Sequence, residues 1–192
     1  TENPNASKPR YIWIDAAANF PDFANSKENI ARDLALAKDA GFTDIVVDVR
    51  PTTGDVLFKT NIVDQVKFMY AWIGSNYTKV ERTATWDYLQ AFVDEARKQG
   101  LRIHAAINTF VGGNQIDGGT GLLYRDQSKA EWATQMNMQT GIVSVMNTSE
   151  STKFFNPAHP EVQTFLCDLL KDLASYDLDG IFLDRGRFLN LQ

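Results

Sequence analysis

Four short apolar runs punctuate this chain, and each closes on a polar or charged residue. Tyr11 to Asp15 ends in Asp15. Asp44 to Val49 carries Ile45-Val46-Val47 and continues into Asp48-Val49-Arg50-Pro51. Leu101 to Ile107 ends in Asn108, and Gly180-Ile181-Phe182-Leu183 ends in Asp184-Arg185. Runs that are apolar throughout read as strands buried on both faces, which belong to parallel sheets with helical crossovers. A buried strand that stops at a carboxylate puts charge at a sheet edge. In parallel α/β folds that edge is where ligands bind.

Helical patterns separate the runs. Ser26 is placed to cap a helix from Lys27 to Ala40, with Ile30, Leu34 and Ala37 on one face and Gly41 as the stop. Thr83 or Thr85 caps the next, whose stripe is Trp86, Leu89, Phe92, Val93 and Ala96 and whose end is Gly100. His159 caps a third, with Pro160 at its first position and Val162, Phe165, Leu166, Leu169, Leu170 and Leu173 along one face. The order βαβαβαβ predicts right-handed crossovers.

Two layouts share that order. A doubly wound sheet usually has a glycine-rich turn directly after its first strand, and none follows Asp15 here. A (β/α)8 barrel has polar residues at the C-terminal ends of its strands and long loops beside them. The barrel fits better. A full one needs about 250 residues, so the expected fold is α/β, the N-terminal half of a (β/α)8 barrel with about four parallel strands and long βα loops. Residues 1–10 read as a flexible polar segment and 11–192 as the partial barrel domain.

Outside the repeat lie three segments. Pro51 to Ala84 is a long loop carrying Gly54, Asp55, Tyr70, Trp72 and Tyr77. Gly112, Gly113, Gly118, Gly119 and Gly121 mark a mobile rim and match neither a phosphate-loop nor a dinucleotide pattern. Gly141 to Val145 and Lys153 to Phe155 are predicted to pair as a hairpin around Asn147 to Glu150.

A formal net charge of -5 and a pI of about 5.0, without a basic block, exclude nucleic acid as the main partner. No apolar run spans a bilayer. Cys167 is alone, so no intrachain disulfide forms and cysteine usage leaves the compartment open. Two histidines, His104 and His159, without a Cys/His cluster argue against a zinc site, and neither a metal nor a cofactor is expected. Asn76-Tyr77-Thr78 and Asn147-Thr148-Ser149 fit the glycosylation triplet.

Asp184 is the leading catalytic candidate, because a strand end holds a carboxylate rigidly where an oxocarbenium-like centre must be met at close range. An ion pair with Arg185 or Arg187 is the structural alternative. Asp48 and Arg50 alternate along a strand and so face the same way, either toward substrate hydroxyls or as an interior salt bridge. Asp15 is similar. Asn108 can orient a hydroxyl or a carboxylate, or cap the following turn. His104, mid-strand, reads as an interior histidine. Tyr70, Trp72 and Tyr77 can stack on sugar rings or anchor their own loop.

The segment FFNPAHPEVQTFLCDLLKDLASYDLDGIFLDRGRF resembles the block N-P-A-x-P-E-V … Y-D-x-D-G-I-x-x-D-x-x-R-F/Y of glycosyl hydrolase-like family ten, a group of bacterial secreted proteins and lipoproteins. YIWID, AGFTDIVVDVRPTTGDVLF and GLRIHAAINTF resemble that family's first three strands, so the resemblance covers most of Tyr11 to Phe188. It implies a barrel related to α-amylases and α-galactosidases, a carbohydrate substrate such as a polysaccharide or bacterial cell-wall glycan, and a secreted, periplasmic or cell-surface setting. Gly180 to Asp184 aligns with the G-x-x-x-D pattern that carries the nucleophile, although Phe182 stands where such enzymes usually have arginine. Asp184 is then nucleophile or stabiliser, and Asp15, Asp48, Arg50, Asn108, Arg185 and Trp72 bind substrate. The resemblance places the general acid on a later strand, so this chain alone is expected to be catalytically silent and to self-associate through its half-barrel edge. A non-catalytic glycan-binding protein on the same scaffold is the rival reading.

Overall fold

The computed structural model describes residues 8–184. Its elements in chain order are β1 (Tyr11–Ile14), α1 (Ala16–Phe23), α2 (Lys27–Asp39), β2 (Asp44–Arg50), β3 (Phe68–Ile73), β4 (Asn76–Glu81), α3 (Tyr88–Gln99), β5 (Arg102–Asn108), β6 (Val111–Asn114), α4 (Leu122–Arg125), β7 (Gln135–Met138), β8 (Gly141–Ser144), β9 (Thr152–Phe154), α5 (Pro160–Ala174) and β10 (Gly180–Asp184). Strands β1-β2-β5-β10 form one sheet in that order, and every pair is parallel. These are the four runs read from the sequence, arranged as the first half of a (β/α)8 barrel.

Side-chain alternation divides the sheet. Ile45, Val47 and Val49 of β2, with Ile103, Ala105 and Ile107 of β5, join Leu34, Phe92, Leu166 and Leu169 in the core against the helices. Phe23 and Phe92 meet edge-on at 5.4 Å within it, and burying each such ring stabilises by about 1.5–3 kcal/mol. The alternate residues, Asp44 and Asp48 on β2 and His104 and Asn108 on β5, belong to the barrel interior. At the lower end of that interior Asp44 is buried. It accepts from Arg102, from Thr43 Oγ1 at 2.7 Å and meets His104 Nε2 at 2.7 Å. Burial raises its pKa, but these bonds outweigh it and hold Asp44 at about 2. His104 is thus an interior histidine.

Ser26 caps α2 through a bond from the Asn29 N–H, and His159 caps α5 through one from the Glu161 N–H, both as expected. Asp87, not Thr83 or Thr85, caps α3, so Trp86 falls outside that helix. The carboxylate of Asp87 reaches the Gln90 N–H and also accepts from Tyr176 Oη. Asp179 accepts from the Ile103 N–H at 2.8 Å and from Arg97, which bolts the entry of β10 to β5. Much of the YDLDG motif is therefore bracing for the last strand.

The expected hairpin between 141–145 and 153–155 does not form. Instead β8 folds back on β7 through a two-residue turn, a local pairing that loop closure favours, while β9 joins β6. The long loop after β2 contains a hairpin too: β3 pairs antiparallel with β4, turning at Gly74-Ser75 with Gly74 at φ 62°.

The two ends of the glycine-rich segment are closely packed, while Gly118 in its middle is exposed. Gly112, Gly113 and Gly121 are buried. Gly121 has φ 82°, and a Cβ there would lie 2.6 Å from Gly113 Cα and 2.7 Å from the Gly112 carbonyl oxygen. Glycines serve here as points where backbone meets backbone. Gly121→Ala should cost about 2–4 kcal/mol through left-handed strain and overpacking, read as a lowered urea midpoint. A wild-type midpoint would show that the loop moves aside freely.

Candidate active site

The C-terminal ends of the four parallel strands surround a cavity of about 140 Å³. Trp13, Asp15, Asp48, Asn108 and Asp184 line it, with Met69 of the β3–β4 hairpin and Pro51-Thr52 closing one side. Four of the residues singled out by sequence therefore converge. Each arrives by the same device, a polar residue at the C-terminal end of a parallel strand: β2 and β5 are buried, whereas β1 and β10 are largely exposed.

Their bonds differ. Asp15 caps α1, with Oδ1 accepting from the Ala18 N–H at 2.7 Å, so one oxygen is committed to the fold. Asp48 Oδ1 accepts from the Arg50 N–H at 3.2 Å. Asn108 donates from Nδ2 to the Arg50 carbonyl at 2.8 Å, which fixes its amide. Asp184 stands opposite Asn108 in the β5–β10 register, and its carbonyl accepts from the Thr109 N–H at 2.9 Å. Among the described residues no group of three or more His, Cys, Asp or Glu is arranged to hold a metal ion.

Asp48 is the electrostatically distinctive member. Burial first, then the Asp15 and Asp184 carboxylates, push it up to about 7, against the opposing pull of the Arg50 and Ala16 N–H groups. Asp48 therefore retains its proton well into the range where ordinary carboxylic acids have lost theirs. The linkage sign follows. A raised folded pKa contributes stability that is present below the unfolded value of about 3.9 and is lost as pH rises to about 7. Asp48→Asn should thus stabilise the fold by on the order of 1–2 kcal/mol at pH 8 and change little at pH 4, as thermal melts at the two pH values would register. Equal effects at both would remove the charge repulsion.

Arg50 is not brought to the cavity. A register shift in the β2–β5 pairing falls between Asp48 and Arg50 and breaks the simple alternation. The Arg50 side chain is fully buried, and its guanidinium donates to the carbonyls of Asn108 at 2.6 Å, Thr109 at 3.2 Å and Val111. Trp72 also lies outside the cavity lining. It is 68% exposed near the hairpin turn, with its ring 5.2 Å from that of Tyr77. Arg185 lies outside the described residues.

Two aromatic residues were not named as site residues from the sequence, although Phe182 was noted as standing where related enzymes usually have arginine. Trp13 lies two positions before Asp15, on the same face of β1, and walls the cavity. Phe182 has the same relation to Asp184. Its ring lies 5.8 Å from Trp13 and 5.4 Å from His104, so the interior beneath the carboxylates is aromatic. The signal was the period of two counted back from each strand-ending acid.

A second cavity of about 450 Å³ adjoins the first and shares Ala17, Thr52 and Met69 with it. One wall is the β3–β4 hairpin and the other is the segment from Asn114 to Ile116 with Ser151.

Comparison with known proteins bears on this arrangement. The family model for glycosyl hydrolase-like 10 matches residues 8–189. An S-layer-related protein of Niallia circulans is 30% identical over 192 residues, an alignment that takes in 97% of this chain and 12% of that protein. The chain thus spans about one-eighth of that relative's length. Among solved structures, a hypothetical protein from Ruminiclostridium thermocellum superimposes with a TM-score of 0.58 at 14% identity, over 94% of this chain and 78% of that one. Isomaltulose synthase from Klebsiella sp. LX3 gives 0.59 at 13% identity, over 92% and 34%. Alpha-L-fucosidase isoenzyme 2 from Paenibacillus thiaminolyticus gives 0.57 at 17%, over 93% and 23%. These structural likenesses establish the barrel fold.

Proposed function

This chain belongs to the glycosyl hydrolase-like 10 family, and from that premise we propose that it contributes the nucleophile-bearing half of a glycoside hydrolase barrel acting on a polysaccharide or bacterial cell-wall glycan. The observation that carries the reading is the convergence of Asp15, Asp48 and Asp184 with Asn108 on one cavity at the strand ends. Carboxyl groups so placed suit glycoside cleavage, which pairs one carboxylate with one carboxylic acid across the scissile bond.

In this scheme Asp184 meets the anomeric carbon as nucleophile or as stabiliser of the oxocarbenium-like centre. Asp48, still protonated near neutrality, donates a hydrogen bond to a substrate hydroxyl, and Asn108 and the free oxygen of Asp15 orient others. Trp13 offers a ring face to the sugar. In the whole protein, further strands close the barrel over Tyr11, Trp13 and Phe182, which are 50%, 48% and 38% exposed. They also bring the general acid. The S-layer-related description of the Niallia circulans relative supports an extracellular, cell-surface setting. No helix among the described residues is long and apolar enough to cross a membrane.

The test is release of new reducing ends by the protein in its full natural length, on denuded peptidoglycan and a polysaccharide panel. Hydrolysis of at least one glycan is expected. Tight binding without any cleavage would overturn the hydrolase reading in favour of a non-catalytic glycan-binding barrel.

A further inference from the structure

One face of the β3–β4 hairpin is an aromatic ladder. Register pairs Tyr70 with Lys79 and Trp72 with Tyr77, so Phe68, Tyr70, Trp72 and Tyr77 share one side, while Met69 and Ala71 are buried on the other. Tyr70 and Tyr77 stack at 5.3 Å with their planes 27° apart, and Phe68 meets Tyr70 edge-on. Across the second cavity stand the polar groups of Asn114, Gln115 and Ser151. Asn114 is fixed by accepting from the Ile116 N–H at 3.1 Å.

The two walls are tied together. Asp117, the one non-glycine residue with positive φ among the described residues, receives Tyr70 Oη at 2.8 Å and pairs with Lys79 Nζ at 2.8 Å. That strap holds the hairpin against the opposite segment, so the space between them keeps its width without a ligand. None of the residues lining it is charged.

We propose that this second cavity is a subsite for an uncharged pyranose unit of a glycan chain whose reacting sugar sits over Asp184. The inference rests on the glycoside reading above and extends it to a substrate class: a neutral oligosaccharide of several units, neither a monosaccharide nor a polyuronide. A pyranose ring has one apolar face, which matches Tyr70 and Tyr77, and a rim of hydroxyls or N-acyl groups, which matches the amides and the serine opposite. An acidic sugar would need a cation, and the nearby Lys79 is already held by Asp117.

The experiment is calorimetric binding to the full-length protein, using cello-, chito- and malto-oligosaccharides of two to six units alongside oligogalacturonides. In the wild type, affinity should rise with chain length for at least one neutral series, and the oligogalacturonides should bind most weakly. Tyr77 is 56% exposed, so Tyr77→Ala leaves the fold intact. It should abolish the length dependence, lowering affinity for the longest member about tenfold while leaving the shortest unchanged. Tyr77→Phe, which keeps the ring, should restore it. No binding by any neutral series, tighter binding of oligogalacturonides, or full length dependence in Tyr77→Ala would each overturn the subsite. Length-dependent binding through Tyr77 in a protein that cleaves nothing would refute hydrolysis and leave the subsite standing.

Discussion

Asp184→Asn should reduce glycan turnover on the order of 10³-fold or more while leaving the melting temperature close to wild type. The substitution keeps size and shape at the end of β10, removes the negative charge and replaces one accepting oxygen with an NH2 donor. The backbone carbonyl of Asp184, which holds the Thr109 N–H, is untouched. A nucleophile or charge stabiliser acts on the transition state, so its loss appears in rate and not in stability. Near-wild-type turnover of Asp184→Asn would remove the role. A lowered melting temperature with unchanged turnover per folded molecule would return Asp184 to the structural ion pair first weighed against it.

Arg50→Ala should have the opposite signature. Its guanidinium is buried and donates to three carbonyls between Asn108 and Val111, the stretch that leads from β5 into β6. Burial pulls it down to about 10, and the nearby Asp55 and Asp48 oppose that pull, so the charge survives at neutral pH. Truncation strands three acceptors and opens a void, which should cost on the order of 3–5 kcal/mol. That is a large part of the roughly 5–15 kcal/mol that holds a domain together. Arg50→Lys should recover little, because an ammonium cannot span three carbonyls as the planar fork does. Urea unfolding measures both, and a loss below about 1 kcal/mol for Arg50→Ala would contradict the clamp.

The contrast between Asp184 and Arg50 shows what was legible in the chain. Strand ends were readable because the signal is local: an apolar run, then a polar residue. Asp15, Asp48, Asn108 and Asp184 were read as strand ends in that way, and they line one cavity. Arg50 was misplaced because its partners lie some sixty positions away, and because a register shift breaks the alternation that assigned its direction. The β3–β4 hairpin was read as loop although Gly74-Ser75 marks its turn. Its inward residues Met69 and Ala71 are as apolar as its outward aromatics, so no polar alternation announced a strand. The glycines were read as freedom. At Gly112, Gly113 and Gly121 they are instead positions without room for a side chain, a fact that depends on what each faces across the fold, whereas Gly118 faces open space.

A crystal structure of the full-length Asp184→Asn protein with a neutral oligosaccharide tests the central claim most directly. The account predicts the anomeric carbon of one sugar within about 3–3.5 Å of the residue-184 side chain. It places that sugar among Asp15, Asp48 and Asn108, with the chain continuing onto Tyr70 and Tyr77. An oligosaccharide seated away from the strand ends, with residue 184 out of reach of any anomeric carbon, would contradict it.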